Sequence, residues 1–180
     1  MGGDKVAVVS VDTCLLIEVI RSRLGYSVDP ERQDCIWIMD RLLGAAMNRD
    51  VLVYHSTFTG AELLYVKGDD GKPDQSATAQ KLITDMVWSN KHGLVPAHPT
   101  PFTFQRIRDL AWKRGVFHKA SDLVHLASAA EVGASEFLTL DGSIPQPVVE
   151  AVNEEWRLQV IPAKDTSALP ENYRQMEINS

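Results

Sequence analysis

Residues 6–20 read VAVVSVDTCLLIEVI, and the fold depends on the change of pattern within this stretch. The apolar run at 6–11 is typical of a buried strand, and it leads directly into Asp12. The residues after Asp12 have the apolar character of a helix that packs on a core. A strand that passes at once into a helix is typical of a parallel sheet covered by helices. Asp12 is therefore expected at the carboxyl edge of the sheet, where open α/β folds bind their ligands.

The same alternation continues along the chain and predicts the α/β class with about five, mainly parallel strands. Strands are expected at 5–11, 51–55, 94–97, 136–140 and 158–161. Helices are expected at 14–22, 30–47, 57–66, 76–90, 101–114, 122–132 and 145–155. Residues 67–74 are rich in Gly, Pro and Asp, which predicts a loop between two helices. We expect one domain at 1–162 and a polar tail at 163–180 that lies on the surface or frays.

The composition is that of a globular chain, since 44% of its 180 residues are hydrophobic and 23% are charged. This length is enough for one domain with its own core. The longest apolar run, at 35–39, is far shorter than the roughly 20 residues that cross a bilayer. Residues 1–4 lack the basic and apolar regions of a signal peptide. The sequence therefore predicts a cytoplasmic protein with no membrane segment, in which Cys14 and Cys35 are buried thiols.

The net charge of −6 argues against a general nucleic-acid binder, because phosphate contacts need Lys and Arg. Acids reserved for a metal ion would account for much of this excess, since a bound cation reverses the local field. Local basic groups form either a phosphate-binding track or solvated helix ends. These groups are Arg21, Arg23, Lys113, Arg114 and Lys119.

Four acidic residues stand beside apolar runs, and they are Asp12, Glu62, Asp122 and Asp141. Asp12 and Asp141 each follow a predicted strand, so they are expected close together at one edge of the sheet. Carboxylates that gather within a few ångströms raise one another's pKa values unless a cation neutralises them. Oxygen ligands favour Mg2+ or Mn2+, and the sequence has no His or Cys spacing typical of zinc. Such an ion lowers the pKa of bound water and offsets charge on a phosphate, which predicts phosphodiester hydrolysis.

Three of these acids also have a purely structural explanation in the loops and helix starts that they occupy. Asp12 is a good N-cap for the helix that follows it. Ser121 or Asp122 is able to cap the helix at 122–132. Asp141 precedes a glycine, as an ordinary turn aspartate does.

Glu62 and His125 are the two further candidates on predicted helices. Glu62 lies one helical turn from both Phe58 and Tyr65, on a face with aromatic neighbours. A solvated glutamate on an exposed face is the alternative. His125 stands one turn after Asp122 and is able to reach the same site. A lone His on a mostly apolar helix is more often a core residue, so the sequence favours that role for His125.

Four motifs occur in a fixed order: VSVDT at 9–13, STFTGAEL at 56–63, SDLVHLASA at 121–129 and FLTLD at 137–141. In these motifs the chain resembles the PIN domain family, and in particular its VapC-like toxin ribonucleases. With the strand that precedes them, the motifs span 5–141, about three quarters of the chain. The third motif followed by the fourth is the most specific part of the resemblance.

The resemblance implies a three-layer α/β/α sandwich whose acids hold Mg2+ or Mn2+ for hydrolysis of RNA phosphodiester bonds. Carried over by position, the catalytic and metal-site acids are Asp12, Glu62, Asp122 and Asp141. Thr13 and Thr139 match hydroxyl positions that support the site or its water. Many small family members are toxins of toxin-antitoxin pairs, which dimerise and are inhibited by an antitoxin that covers the acidic cleft. An RNA substrate, an antitoxin partner and a homodimer are therefore implied as well.

The chain departs from the toxin members in two places. Those members often continue past the last aspartate with another acid and a phenylalanine, whereas this chain has GSIP at 142–145. The edge of the site is therefore expected to differ. The loop at 67–74 and the tail after 162 also make the chain longer than a compact toxin, and they are candidate regions for substrate choice or partner binding.

Other classes fit the sequence less well. A haloacid-dehalogenase-type phosphatase needs a second Asp two residues after the first, where this chain has Cys14. A structure-specific DNA nuclease with a related core needs a longer chain. There is no nucleophile elbow, phosphate-binding Gly-rich loop or dinucleotide fingerprint. A non-catalytic PIN-like module that binds RNA or a protein remains the alternative, and it predicts that replacing Asp12 or Asp122 leaves function intact.

Overall fold

A computed structural model of the chain describes residues 6–140, 142 and 144–175, and it confirms the α/β class. The strands are β1 (Ala7–Val11), β2 (Val51–Ser56), β3 (Leu94–Ala97), β4 (Glu136–Thr139) and β5 (Gln159–Pro162). In the described residues they form one parallel sheet in the order β3-β2-β1-β4-β5. All five predicted strands are present within two residues of their expected bounds, apart from Lys5, which lies outside the described residues. Because the chain leaves β1 in one direction and later returns to β4 on its other side, the ends of β1 and β4 form the topological switch point.

Helices connect and cover these strands. They are α1 (Thr13–Arg23), α2 (Gln33–Met47), α3 (Thr59–Glu62), α4 (Ala77–Trp88), α5 (Pro101–Arg114), α6 (Ala120–Glu131), α7 (Gln146–Trp156) and α8 (Glu171–Arg174). Short 3-10 turns lie at Pro30–Arg32 and Ala163–Asp165. In the part of the chain that the structure describes, no helix has both the length and the apolar character needed to cross a bilayer.

The two faces of the sheet carry separate apolar clusters, which makes the fold a three-layer sandwich. On one face α1, α2 and α4 pack over Val9, Val11 and Leu138. On the other face α5, α6 and α7 pack over Val8 and Phe137. Neighbouring residues of one strand serve opposite faces because side chains alternate along a strand. The predicted sandwich with a central parallel sheet of about five strands is therefore confirmed.

The prediction of one helix at 57–66 is wrong, because α3 has only four residues and ends at Glu62. Leu63 leaves the helical region with φ −94° and ψ 60°. The residues that follow α3 make hydrogen bonds to other segments of the chain. The Asp74 N–H donates to the Val66 carbonyl at 2.8 Å, and the Arg21 guanidinium donates to the Lys67 carbonyl at 2.9 Å. These contacts come from distant parts of the chain, so the local apolar periodicity does not indicate them.

The expectation that the tail lies on the surface is wrong for five buried residues within 163–175, which are Ala163, Thr166, Ala168, Leu169 and Tyr173. Leu169 and Tyr173 are buried in the core cluster that includes α2. The tail also binds Glu136, a buried acid at the start of β4. Its carboxylate accepts hydrogen bonds from the Ser167 N–H at 3.0 Å and from the Thr166 hydroxyl. Residues 176–180 lie outside the described residues, and a domain boundary at 162 stays a prediction.

Candidate functional site

The carboxyl ends of β1 and β4 meet at Asp12. Its N–H donates to the Leu138 carbonyl at 2.9 Å, and the Thr139 hydroxyl donates to Asp12 Oδ2 at 3.1 Å. The other carboxylate oxygen accepts the Thr13 N–H at 2.8 Å. Asp12 is therefore the N-cap of α1, as one of the two sequence interpretations predicted. The same bonds hold its carboxylate at the switch point of the sheet.

Cys14 is a neighbour of Asp12 to which the sequence analysis assigned no chemistry. Its Sγ donates to Asp12 Oδ2 at 2.9 Å and lies 3.4 Å from Thr139 Oγ1. Burial and the nearby Asp12 carboxylate raise the pKa of the Cys14 thiol to about 12. The thiol therefore stays protonated and serves as a hydrogen-bond donor to Asp12. Both Cys14 and Cys35 are free thiols, and Cys14 is only partly buried.

Glu62 reaches the same region from the end of α3. Its Oε2 accepts the Thr13 hydroxyl at 2.6 Å and lies 2.7 Å from His125 Nε2. The hydrogen bond with His125, supported by the bond from Thr13, lowers the pKa of Glu62 below its ordinary value of 4.5, against the opposite effect of partial burial. Glu62 therefore remains exposed to solvent, but Thr13 and His125 hold one of its carboxylate oxygens in place.

His125 has a role that the sequence analysis did not favour. It is buried in α6, as the core interpretation predicts. Its Nε2 nevertheless faces Glu62, and its Nδ1 is a buried nitrogen without a hydrogen-bond partner in the described residues. Phe58 holds the ring in an edge contact, with centroids 5.9 Å apart. The one sequence feature that pointed to a role in the site was its spacing of three residues from Asp122, on a helix that begins at the site.

Asp122 lies in the first turn of α6 and is paired with a histidine of its own. His118 Nε2 lies 2.6 Å from Asp122 Oδ2. The expectation that Ser121 or Asp122 caps this helix is wrong, because the N-cap is Lys119 and no side chain caps it. Sequence analysis missed His118, whose signal was its position four residues before Asp122.

One cavity of about 540 Å3 brings together three of the four predicted acids. It is lined by Asp12, Thr13, Cys14, Ile17, Glu62, Lys119 and Asp122. Thr139 is not among these residues and acts on the site through its bond to Asp12. Asp141 lies outside the described residues, so its place in the site stays a prediction.

The donors in this cavity are carboxylate and hydroxyl oxygens, which fit the ligand chemistry of Mg2+ and Mn2+. In the described residues, no group of three His, Cys, Asp or Glu side chains is placed to hold a metal ion. Glu62 and Asp122 instead face His125 and His118. A complete metal site would therefore need Asp141, or the release of a carboxylate from its histidine.

The basic residues that were candidates for a phosphate track differ in whether they pair with surface acids or line the cavity. Arg23 pairs with Asp40 at 2.7 Å, and Arg114 pairs with Glu154 and Glu155. Those arginines therefore form ion pairs on the surface of the fold. Lys119 lines the acidic cavity and supplies its positive charge.

The fold is similar to that in a crystal structure of VapBC2 from Rickettsia felis bound to a DNA fragment from the promoter. The two chains are 15% identical, and the match covers 86% of this chain and 98% of that one with a TM-score of 0.53. No protein-family model matches the chain, and no curated protein matches it significantly. At this level of identity the likeness shows the fold alone, a three-layer α/β/α sandwich.

Proposed function

We propose that the protein is a divalent-metal-dependent endoribonuclease that hydrolyses RNA phosphodiester bonds. The observation that carries the proposal is the convergence of Asp12, Glu62 and Asp122 on one cavity. They come from three separate segments of a PIN-like fold, and Asp12 stands at the switch point where such sheets bind ligands.

The charge of this cavity argues for a bound cation. Its three acids face a single lysine, Lys119. A phosphodiester that entered would meet a net negative field, because the acids outnumber the base. A divalent ion reverses that field and makes the cavity attractive to phosphate.

In this proposal Asp12, Glu62, Asp122 and Asp141 would hold Mg2+ or Mn2+. Such an ion supplies an activated water and offsets charge on the phosphate when it is bound. The Thr139 hydroxyl and the Thr13 N–H fix the orientation of the Asp12 carboxylate. His118 fixes the orientation of Asp122 in the same way. Lys119 places a positive charge where a substrate phosphate would enter.

The test is cleavage of a mixed-sequence RNA in EDTA, Mg2+ and Mn2+, by the wild type and by Asp122→Asn. We expect cleavage that needs the metal and falls at least about a hundredfold in the variant, since even indirect metal partners are worth 10–100-fold. Glu150→Gln is the matched control, because it removes an exposed carboxylate outside the cavity. Metal-independent cleavage, or cleavage by Asp122→Asn at the wild-type rate, would refute the assignment.

Metal binding itself is tested by thermal unfolding with and without Mn2+. An ion that binds only the folded state stabilises it, by roughly 2.7 kcal/mol at a hundred times its dissociation constant. We expect this gain in the wild type and a smaller one in Asp12→Asn. The metal-dependent difference is the informative quantity. Asp12→Asn should lose stability even without metal, because Asp12 Oδ2 accepts hydrogen bonds from Cys14 and Thr139.

We further propose that this ribonuclease is the toxin of a type II toxin-antitoxin pair, a cytoplasmic homodimer inhibited by an antitoxin. The motif resemblance and the fold likeness to a chain of the VapBC2 structure support this extension. Induced expression in a bacterial host should then arrest growth, and Asp122→Asn should abolish the arrest. Light scattering of the purified protein would give the oligomeric state directly.

A non-catalytic PIN-like module that binds RNA or a protein is the second candidate. The pairing of Glu62 with His125 and of Asp122 with His118 favours it, because both carboxylates already have partners. It predicts RNA or protein binding that survives Asp12→Asn and Asp122→Asn, with no cleavage in any metal. The cleavage assay therefore separates the two candidates.

A further inference from the structure

The segment at 101–119 has a charge opposite to that of the whole protein. It holds five basic residues and one acidic residue, a net charge of +4, in a chain whose net charge is −6. Arg114 and Lys113 pair with acids, the latter with Asp109 at 3.8 Å. In the described part of the chain, the structure places no carboxylate in an ion pair with the other three, Arg106, Arg108 and Lys119. These three cations are available to an anionic ligand.

The same segment exposes all of its large aromatic side chains. The exposed fractions are 73% for Phe102, 56% for Phe104, 73% for Trp112 and 79% for Phe117. A single exposed aromatic residue is ordinary, whereas a concentration of them on one surface marks an interaction site. The helix needs little of this apolar surface for its own packing, since Thr103 and Leu110 are its buried residues.

Part of this surface is an ordered stripe along α5. Phe104, Arg108 and Trp112 follow one another at intervals of four residues, so they lie on one side of the helix. The stripe is about 12 Å long at 1.5 Å per residue. The Arg108 guanidinium lies 5.0 Å from the centre of the Trp112 ring, in a cation-π contact. Aromatic faces and positive charge therefore alternate along it.

A short segment of chain joins the end of α5 to the acidic cavity. Gly115 ends α5 in the left-handed conformation with φ 64°, and the chain then passes through Phe117 to the site. Phe117 directly precedes His118, which binds Asp122. It stands two residues before Lys119, which lines the cavity, so their backbones are at most roughly 7 Å apart.

We propose that Phe104, Arg108, Trp112 and Phe117 form a binding track for single-stranded RNA that feeds the acidic cavity. The inference rests on the proposed ribonuclease function and adds where and how the substrate binds. Bases stack on the aromatic rings, and phosphates pair with Arg108 and Lys119. Stacking of this kind needs bases that are free of a duplex, which is why the track suits single-stranded rather than double-stranded RNA.

A second copy of the chain suits this surface less well. A two-fold symmetric contact would place the exposed cations Arg106 and Arg108 near their own symmetry copies. Like charges brought together in this way oppose association. An anionic polymer instead satisfies both the aromatic rings and the cations.

The test is fluorescence anisotropy with a labelled, unstructured 12-nucleotide RNA in EDTA, so that metal-dependent cleavage does not occur. Phe104→Ala and Trp112→Ala should each weaken binding at least about fivefold, since one stacked base is worth that much or more. Arg108→Ala should weaken binding and lower the slope of log K against log salt by about 0.7. The controls are Met47→Ala, which removes another exposed apolar side chain, and Lys164→Ala, which removes one positive charge elsewhere. Both controls should bind RNA as the wild type does.

Unchanged RNA affinity in the Phe104 and Trp112 variants overturns the track. If these variants instead convert a dimer to a monomer in light scattering with RNA affinity intact, the surface is a self-association face and the inference is wrong. The outcome is separable from that of the proposed function. If the variants lose RNA binding but the wild type cleaves no RNA, the binding track is supported and the proposed nuclease activity is refuted. If the variants bind RNA as the wild type does and still cleave it with metal, the nuclease is supported and the track is refuted.

Discussion

The Thr13 hydroxyl lies 2.6 Å from Glu62 Oε2, and this bond joins the start of α1 to the end of α3. Thr13 also donates its N–H to the Asp12 carboxylate, so this one residue contacts two of the candidate acids. The rigid carboxyl end of β1 therefore orients Glu62, which sits on a helix of only four residues. A short helix has little stability of its own, because helix formation needs more residues than one turn supplies.

We predict that Thr13→Val lowers the free energy of unfolding by about 1–2 kcal/mol, the worth of a hydrogen bond to a charged group. The loss is at the lower end of the usual range because the Glu62 side chain is 30% exposed and water replaces part of the bond. Thr13→Ser keeps the hydroxyl and should lose less. Urea unfolding measures both variants. A Thr13→Val protein as stable as the wild type, with a loss only in Thr13→Ser, would show that the methyl group, not the hydroxyl, matters at this position.

Acid should remove the contribution of Glu62 to stability. Its pKa is lowered in the folded state, first by the hydrogen bond with His125 and then by Thr13. A lowered folded pKa means that the contribution is fully present above the unfolded value, near 4.5, and is lost as the pH falls through the folded value. The stability difference between wild type and Glu62→Gln should therefore shrink as the pH falls below about 4.5. A difference that grows on acidification would contradict the bound carboxylate.

The strands were predictable because each is a short buried run bounded by turn residues, and burial on both faces leaves a continuous apolar signal. The early end of α3 was not predictable. The residues after α3 bond to other parts of the chain, since the carbonyls of Lys67 and Val66 accept hydrogen bonds from Arg21 and from the Asp74 N–H. Local periodicity carries no information about such partners.

The candidate site also has a part that could be predicted from the sequence and a part that could not. The acids Asp12, Glu62 and Asp122 could be predicted from their positions beside apolar runs, and the structure places them around one cavity. Their partners could not. His125 differs in no local pattern from a core histidine, and its contact with Glu62 depends on how α3 and α6 approach one another. The spacing of His118 from Asp122 is common to many surface pairs, so by itself it does not indicate a partner of the site. Cys14 likewise becomes a donor only because the first turn of α1 directs its thiol to Asp12.

Gly60 allows Trp88 to pack closely on α3, the helix that carries Glu62. A Cβ at position 60 would lie 2.3 Å from Trp88 Cζ2. Since Trp88 is 53% exposed, its ring should turn aside in Gly60→Ala, at a cost of about 1 kcal/mol. A red shift of tryptophan emission together with urea unfolding would detect the change.

Gly44→Ala is the matched control for this substitution. Gly44 lies inside α2, and a Cβ added there would meet no atom within 4 Å beyond its own helix and chain neighbours, so alanine fits. The substitution should raise stability by about 0.5–1 kcal/mol through helix propensity alone. A stabilised Gly60→Ala with unchanged emission would mean that the close contact with Trp88 does not constrain α3.

Thr166 should contribute more to stability than its exposed counterparts, because it donates to the buried carboxylate of Glu136. Thr166→Val keeps the shape and removes the donor, so we expect a loss of about 2–3 kcal/mol, the upper range for a bond to a charged group. Thr84→Val, at an exposed position on α4, should change stability by no more than about 0.5 kcal/mol. In a Glu136→Gln background the Thr166 loss should fall to about 1 kcal/mol, since the acceptor is then neutral. Chemical unfolding of the four proteins in this cycle measures the coupling, and additive effects would show that the tail stabilises the sheet by apolar packing rather than through Glu136.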